Sequence, residues 1–96
     1  MKKLNDAEIS TALAALPGWS LKDAKLHREY KFRDFKHAID FIGAAVPGIE
    51  KMDHHPEWAN VYNRVTVNLT THSAGGITGN DVELAKHLEG IAPKYL

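Results

Sequence analysis

Residues 65–70, VTVNLT, decide the fold because apolar and polar side chains alternate along them. Successive side chains of a β-strand point to opposite faces, so this period of two predicts a strand with one buried and one polar face. The same alternation places His72 on the polar side. Residues 58–62 suit an edge strand, and Asn63-Arg64 can turn the chain between the two strands. We therefore expect a hairpin at the edge of a sheet.

A long helix precedes this hairpin. Asp34 is a good N-cap, and the apolar residues that follow recur at a period of about 3.6, which predicts one inward-facing stripe. This stripe consists of Phe35, Ala38, Ile39, Ile42, Ala45, Val46 and Ile49. Pro47 has no N–H, and its ring clashes with the carbonyl four residues earlier, so we expect a kink or break there. Residues 48–53 then resume as a last turn that carries Glu50 and Asp53 toward the neighbouring histidines.

Two more helices and a second hairpin complete the predicted order. A helix over about residues 6–16 begins at the N-cap Asn5, and strands follow at residues 19–22 and 25–32. Thr78 and Asp81 predict a capping box for the last helix. Its inward side chains are expected to be Val82, Leu84, Ala85, Leu88 and Ile91. The order α-β-β-α-β-β-α predicts an α+β fold, with helices packed on one face of a four-stranded antiparallel sheet, in a single domain over residues 1–96.

The composition narrows the function classes. Twelve basic and twelve acidic residues give a net charge of zero, so we expect no direct binding to nucleic acid. The chain has no cysteine, which excludes disulfides, thiolate metal sites and cysteine nucleophiles and favours a reducing, cytoplasmic location. No stretch approaches the about 20 apolar residues of a membrane span, and no apolar run of signal-peptide length lies near the N-terminus. We expect a soluble, unprocessed protein that binds no membrane.

Histidines dominate the residues that can carry chemistry. His54 and His55 are adjacent, His72 lies downstream, and acids stand nearby in sequence at Glu50 and Asp81. An imidazole has an unperturbed pKa of about 6.5, so it can give and take protons near neutral pH. Three such groups indicate proton-transfer chemistry.

Other interpretations of these residues stay open. His54 and His55 could lie in a solvated surface turn, or one of them could cap a helix C-terminus. Three histidines and two carboxylates could ligate zinc or iron, although the chain has no H-x-x-x-H or H-E-x-x-H spacing. The residues interpreted as structural or solvent-facing are His27, His37, His87, Trp19 and Trp58.

The spacing of these residues resembles that of a known family. The pattern Glu50-x3-His54-His55-Pro56-x5-Tyr62-x9-His72-x8-Asp81 is similar to the signature of the pterin-4a-carbinolamine dehydratases. Glu57-Trp58, residues 60–63 (NVYN) and residues 69–72 (LTTH) strengthen the resemblance. It covers essentially the whole chain, and it implies the same order of helices and strands.

The resemblance implies a dehydratase, a hydro-lyase that converts 4a-hydroxytetrahydropterin to quinonoid dihydropterin and water. Its role would be to recycle the tetrahydropterin cofactor of aromatic amino acid hydroxylases. Loss of hydroxide from C4a needs a proton donor and removal of N5–H needs a base, which suits histidine general acid–base catalysis. The resemblance implies no metal and no organic cofactor. Its implied partners are the pterin substrate, an aromatic amino acid hydroxylase as a functional partner, and further copies of the chain in a homo-oligomer.

The resemblance also assigns roles to individual residues. His55 and His72 are the acid–base pair, and His54 orients the substrate. Glu50 and Asp81 support the histidines by holding tautomers or by making an imidazole more basic. The implied substrate-binding residues are His54, His55, Pro56, Thr71, His72, Ser73 and Ala74.

The chain departs from the family pattern at two places. Ser73 stands where relatives often carry an acidic residue, and Pro47 interrupts a helix that relatives use for self-association. Some family members also act as dimerisation partners of a transcription factor. The alternative function is therefore a non-catalytic dimerisation or binding module for a regulatory or hydroxylase partner.

Overall fold

Three helices and a four-stranded antiparallel sheet make up the fold, which the computed structural model describes for residues 2–96. The elements are α1 (Asp6–Ala14), β1 (Ser20–Lys22), β2 (Lys25–Lys31), α2 (Phe35–Met52), β3 (Glu57–Val61), β4 (Arg64–Leu69) and α3 (Gly79–Ile91). Two 3₁₀ turns follow β4 and α3, at His72–Ala74 and Ala92–Lys94. The order of elements confirms the predicted α-β-β-α-β-β-α fold.

Strand β4 lies inside the sheet, and its side chains alternate between the two faces. The strand order is β1-β2-β4-β3, so β3 lies at the edge as predicted. The apolar residues of β4 are buried against the helices: Val65, Val67 and Leu69. Leu26 of β2 pairs with Leu69, and Trp58 of β3 pairs with Val67, so these neighbours face the same core. The other face carries Thr66 and Asn68, which are only half-buried, and we call it the open face of the sheet.

Helix α2 runs unbroken from Phe35 to Met52, so the predicted break at Pro47 is wrong. Ala45, two residues before the proline, is fully buried. Nε2 of His87, from α3, lies 3.1 Å from the carbonyl oxygen of Ala45. Gly48 makes this approach possible, because a Cβ at position 48 would lie 2.1 Å from the His87 ring. Pro47 lacks the N–H that would donate to the Gly43 carbonyl, yet α2 continues, and the next residue packs closely against α3.

Only part of the predicted apolar stripe of α2 faces the core. The buried positions are Ala38, Phe41, Ala45 and Ile49. Phe35, Ile39 and Val46 are 51%, 41% and 42% exposed, so the prediction that they face inward is wrong. The helix is apolar over a wider arc than the sheet and α3 cover. We call Phe35, Ile39 and Val46 the α2 stripe.

The helix starts agree with the sequence analysis. Asn5 with Glu8 and Thr78 with Asp81 form capping boxes in which each side chain accepts from the partner's backbone N–H. Helix α1 ends at Ala14, two residues earlier than expected. No helix within residues 2–96 is both long enough and apolar enough to cross a membrane.

Candidate active site

The candidate site forms where two connections meet. One links α2 to β3 and contains the adjacent histidines, and the other links β4 to α3 and contains His72. Asp53 ends α2 in the left-handed region, with φ of 51°, a conformation that a short polar side chain tolerates better than most. The chain turns there, and His54 Nε2 lies 2.6 Å from Oδ1 of Asp81 in α3.

Asp81 is completely buried, and both of its carboxylate oxygens have hydrogen-bond partners. Its Oδ2 accepts from the hydroxyl of Thr71 at 2.8 Å and from the backbone N–H of Thr78 at 2.8 Å. Its Oδ1 faces His54, whose side chain is 13% exposed. A buried carboxylate is tolerated only when it is hydrogen-bonded in this way. The capping residue of α3 thus also orients a site histidine.

The number of protons on each group decides which atoms donate in the hydrogen bonds around Asp81. Thr71 has one hydroxyl proton and donates it to Asp81, so the Thr78 hydroxyl, 2.8 Å away, donates to Thr71. Thr78 Oγ1 in turn accepts from the backbone N–H of Asn80. With Asp81 ionised, the carboxylate only accepts, so the proton between Asp81 and His54 belongs to Nε2 of the histidine. Nδ1 of His54 is then the nitrogen that carries the lone pair.

His55 and Glu50 form a looser pair on the surface. His55 Nε2 and Glu50 Oε2 are 3.6 Å apart, and the two side chains are 58% and 68% exposed. This distance is too long for a hydrogen bond, and an exposed pair of this kind contributes little to stability. His55 is therefore accessible to a ligand that arrives from solvent.

His72 pairs with Glu57, which is not one of the two predicted supporting acids. His72 Nε2 lies 3.0 Å from Oε2 of Glu57, the first residue of β3, and the His72 side chain is 80% exposed. The other carboxylate oxygen of Glu57 accepts from Lys25 Nζ at 2.5 Å. Hydrogen bonds from Lys25 and then from His72 hold the pKa of Glu57 below its usual value.

Strand register is the signal that could have found Glu57. The residue pairs with Asn68 of β4, which the alternation in VTVNLT places on the polar face. The same alternation had placed His72 on that face. Combining the two would have brought Glu57 and His72 to one side of the sheet.

The remaining predicted residues fall into three groups. Ser73 and Ala74 share the 3₁₀ turn with His72, and Ser73 is exposed. Pro56 is half-buried directly before β3. Tyr62, also part of the sequence motif, lies in the turn at the opposite end of β3 with φ of 51°, so the structure does not bring it to the histidines.

The described residues do not form a metal site. Within residues 2–96, no group of three or more His, Cys, Asp or Glu side chains is arranged to hold a metal ion. A cavity of about 580 Å³ lies between α1 and α3, but none of the three site histidines lines it. Asp81 instead joins the two connections, because it contacts His54 in one and Thr71, the neighbour of His72, in the other.

Fold and site together define a small α+β protein in which three histidines are each paired with a carboxylate. The family model for pterin 4 alpha carbinolamine dehydratase matches residues 2–91. A Solibacter usitatus protein with the provisional name pterin-4-alpha-carbinolamine dehydratase is 53% identical over 90 residues, which are 94% of this chain and 95% of the relative. A Sulfurisphaera tokodaii protein with the same provisional name is 47% identical over 91 residues, covering 95% and 98%.

A solved structure agrees with these matches. The crystal structure described as a transcriptional coactivator/pterin dehydratase from Brucella melitensis aligns with a TM-score of 0.92 and 44% identity, covering 95% of this chain and 99% of that one. The chain belongs to the pterin 4 alpha carbinolamine dehydratase family, a family of hydro-lyases. The family predicted from the histidine motif is confirmed.

Proposed function

We propose that the protein dehydrates 4a-hydroxytetrahydropterin to quinonoid dihydropterin by histidine acid–base catalysis. The observation that supports this is the pairing of each motif histidine with a carboxylate within 3.6 Å, in two connections that Asp81 joins. A carboxylate that is hydrogen-bonded to an imidazole, as for His54 and His72, fixes the ring's orientation and stabilises its protonated form, which is what a histidine needs in proton transfer.

The reaction needs one proton delivered and one removed. Protonation of the 4a-oxygen makes water the leaving group, and loss of N5–H supplies the electron pair for the new C4a–N5 double bond. We assign these steps to His55 and His72, since both side chains are more than half exposed and can reach a ligand from solvent. His54, held by Asp81, orients the pterin.

Substrate contacts beyond the histidines fall to the turn after β4 and to Pro56. Thr71 is engaged fully: its hydroxyl donates to Asp81, its N–H donates to Gly76 and its carbonyl accepts from Ala74. We therefore assign Thr71 to holding Asp81 in place. Ser73, Ala74 and Pro56 are left to line the pterin beside the histidines.

The direct test is dehydration of chemically prepared 4a-hydroxytetrahydropterin by the purified protein, followed as formation of the quinonoid product. We expect acceleration over the spontaneous reaction in protein purified without an affinity tag. Elemental analysis of the same sample separates this account from the metal alternative, since stoichiometric zinc or iron would favour that alternative. An aromatic amino acid hydroxylase, which releases such an intermediate, is the functional partner in this proposal.

A second candidate function rests on the α2 stripe. Phe35, Ile39 and Val46 expose apolar side chains along one side of α2, and exposed apolar surface of this kind is typical of contact sites. The Brucella melitensis protein is described as a transcriptional coactivator as well as a pterin dehydratase. We propose that α2 mediates self-association into a homo-oligomer and that the same surface serves a non-catalytic role as a binding module for a regulatory protein.

A further inference from the structure

We propose that Lys25 and Glu57 form a charged pair that positions His72 and leaves its Nδ1 to face the reacting pterin. The part of this proposal that concerns the pterin rests on the proposed function. The positioning of the His72 ring does not, and it can be measured separately.

Strand register brings the two charged residues together although 32 positions separate them in sequence. Lys25 begins β2 and Glu57 begins β3, with β4 between them. Leu26 and Trp58, their neighbours, face the core, so Lys25 and Glu57 both point to the open face. Strands two apart in a sheet are about 10 Å from each other, a gap that a lysine and a glutamate side chain can close together.

The two oxygens of Glu57 have different partners. Oε1 accepts from Lys25 Nζ at 2.5 Å and Oε2 faces His72 Nε2 at 3.0 Å. An ionised carboxylate only accepts, so Nε2 of His72 donates, and Nδ1 carries the lone pair of the neutral ring. Lys25 and Glu57 are 33% and 41% exposed, whereas His72 is 80% exposed. We therefore infer that Lys25 and Glu57 are the more rigid residues, and that their contact restricts the more exposed ring of His72.

The surroundings of Glu57 keep it ionised. Lys25 approaches from β2 and His72 from the 3₁₀ turn, while its β4 neighbour is the neutral Asn68, which is bonded to His27. The lowered pKa of Glu57 means that the pair is intact above that pKa and is lost as the pH falls through it. Lys25 is the first cause of the lowering, so its removal should let Glu57 take up a proton at a higher pH.

Three variants separate this role from a general loss of structure. Lys25→Met removes the charge, Lys25→Arg keeps it, and Lys31→Met removes the same charge from an exposed position on the same strand and face. NMR titration of the Glu57 side-chain carboxyl and ¹³C relaxation of the His72 ring are the two structural readouts. Turnover of 4a-hydroxytetrahydropterin is the third.

In Lys25→Met we expect Glu57 to titrate at higher pH, the His72 ring to become more mobile, and kcat to fall about two- to fivefold with little change in KM. Lys25→Arg and Lys31→Met should both leave the Glu57 titration, the His72 ring mobility and kcat at their wild-type values. Glu57→Gln should increase the mobility of the His72 ring in the same way.

An equally ordered His72 ring in wild type, Lys25→Met and Glu57→Gln would overturn the proposal, whatever the turnover of the variants. Failure of the proposed function gives a different result, because the wild-type protein would then not accelerate dehydration. The Glu57 titration and the His72 relaxation would still decide the positioning role in that case.

Discussion

His54 Nε2 lies 2.6 Å from Oδ1 of Asp81, a carboxylate with no solvent exposure. The other oxygen of Asp81 accepts from the hydroxyl of Thr71, two residues after β4, and from the backbone N–H of Thr78, the N-cap of α3. One side chain therefore caps a helix, ties that helix to the sheet and orients a site histidine. Stability and site geometry are coupled at this residue.

Asp81→Asn should reduce both stability and turnover. The amide NH₂ would face either the Nε2–H of His54 or the donors of Thr71 and Thr78, so at least one hydrogen bond to a buried charge is lost. We expect the free energy of unfolding to fall by about 2 kcal/mol. Urea denaturation and kcat/KM measure the two effects. Glu50→Gln is the matched control, and its exposed pair with His55 predicts little change in stability. Equal losses of stability in the two variants would contradict the assignment.

Thr78→Val tests the buried hydroxyl network. Valine has the shape of threonine but lacks the oxygen that accepts from Asn80 and donates to Thr71. We expect a loss of about 1–2 kcal/mol in the free energy of unfolding, and a loss of less than about 0.5 kcal/mol for Thr78→Ser, which keeps the hydroxyl. Denaturant titrations of both variants provide the comparison. A valine variant as stable as the serine variant would show that the network adds nothing.

Gly48→Ala should destabilise the protein, although the same change usually stabilises a helix by about 1 kcal/mol. The new Cβ would lie 2.1 Å from the His87 ring and displace it from the Ala45 carbonyl. Gly43→Ala is the control in the same helix, because nothing lies within 4 Å of its added Cβ, and it should stabilise.

A double variant completes this test. In a His87→Ala background the clash is removed, so Gly48→Ala should become neutral or stabilising. Thermal unfolding of the four combinations measures the coupling. Additive effects of the two substitutions would contradict the close packing of position 48 on the His87 ring.

Ile39→Lys should weaken self-association through the α2 stripe. A charge at the middle of an apolar contact is costly to bury, whereas the side chain is already 41% exposed in the single chain and should not disturb its fold. Light scattering after size-exclusion chromatography should report a smaller particle than for the wild type. Ser10→Lys adds the same charge at an exposed position of α1 and should leave the particle size unchanged. Identical sizes for all three proteins would exclude this surface.

Local patterns carried most of the fold. The alternation in β4 and the two capping boxes depend on residues a few positions apart, and the structure contains all of them. The predicted break at Pro47 is wrong, and the close packing of Gly48 on His87, in a different helix, cannot be seen in the local sequence. Period alone could not separate the buried side of α2 from its exposed stripe, because both are apolar.

The contacts of the site also include some between residues near in sequence and some between different strands. Glu50 and His55 lie close because one turn of chain joins them. The family resemblance named Asp81 as a support for the histidines, and the structure places it beside His54. The pairing of His72 with Glu57 depends on the register of β3 against β4, and Lys25 arrives from a third strand. No spacing within the sequence motif encodes these cross-strand contacts.

The central claim is tested most directly by the rate of dehydration of 4a-hydroxytetrahydropterin in wild type and in the double variant His55→Ala/His72→Ala, with His37→Ala as a histidine control outside the site. We expect the wild type and His37→Ala to accelerate the reaction alike. The double variant should lose the acid–base contribution, a factor of about 10² to 10⁴. A double variant that turns over the pterin as fast as the wild type would contradict the assigned roles, and a wild type without acceleration would contradict the function itself.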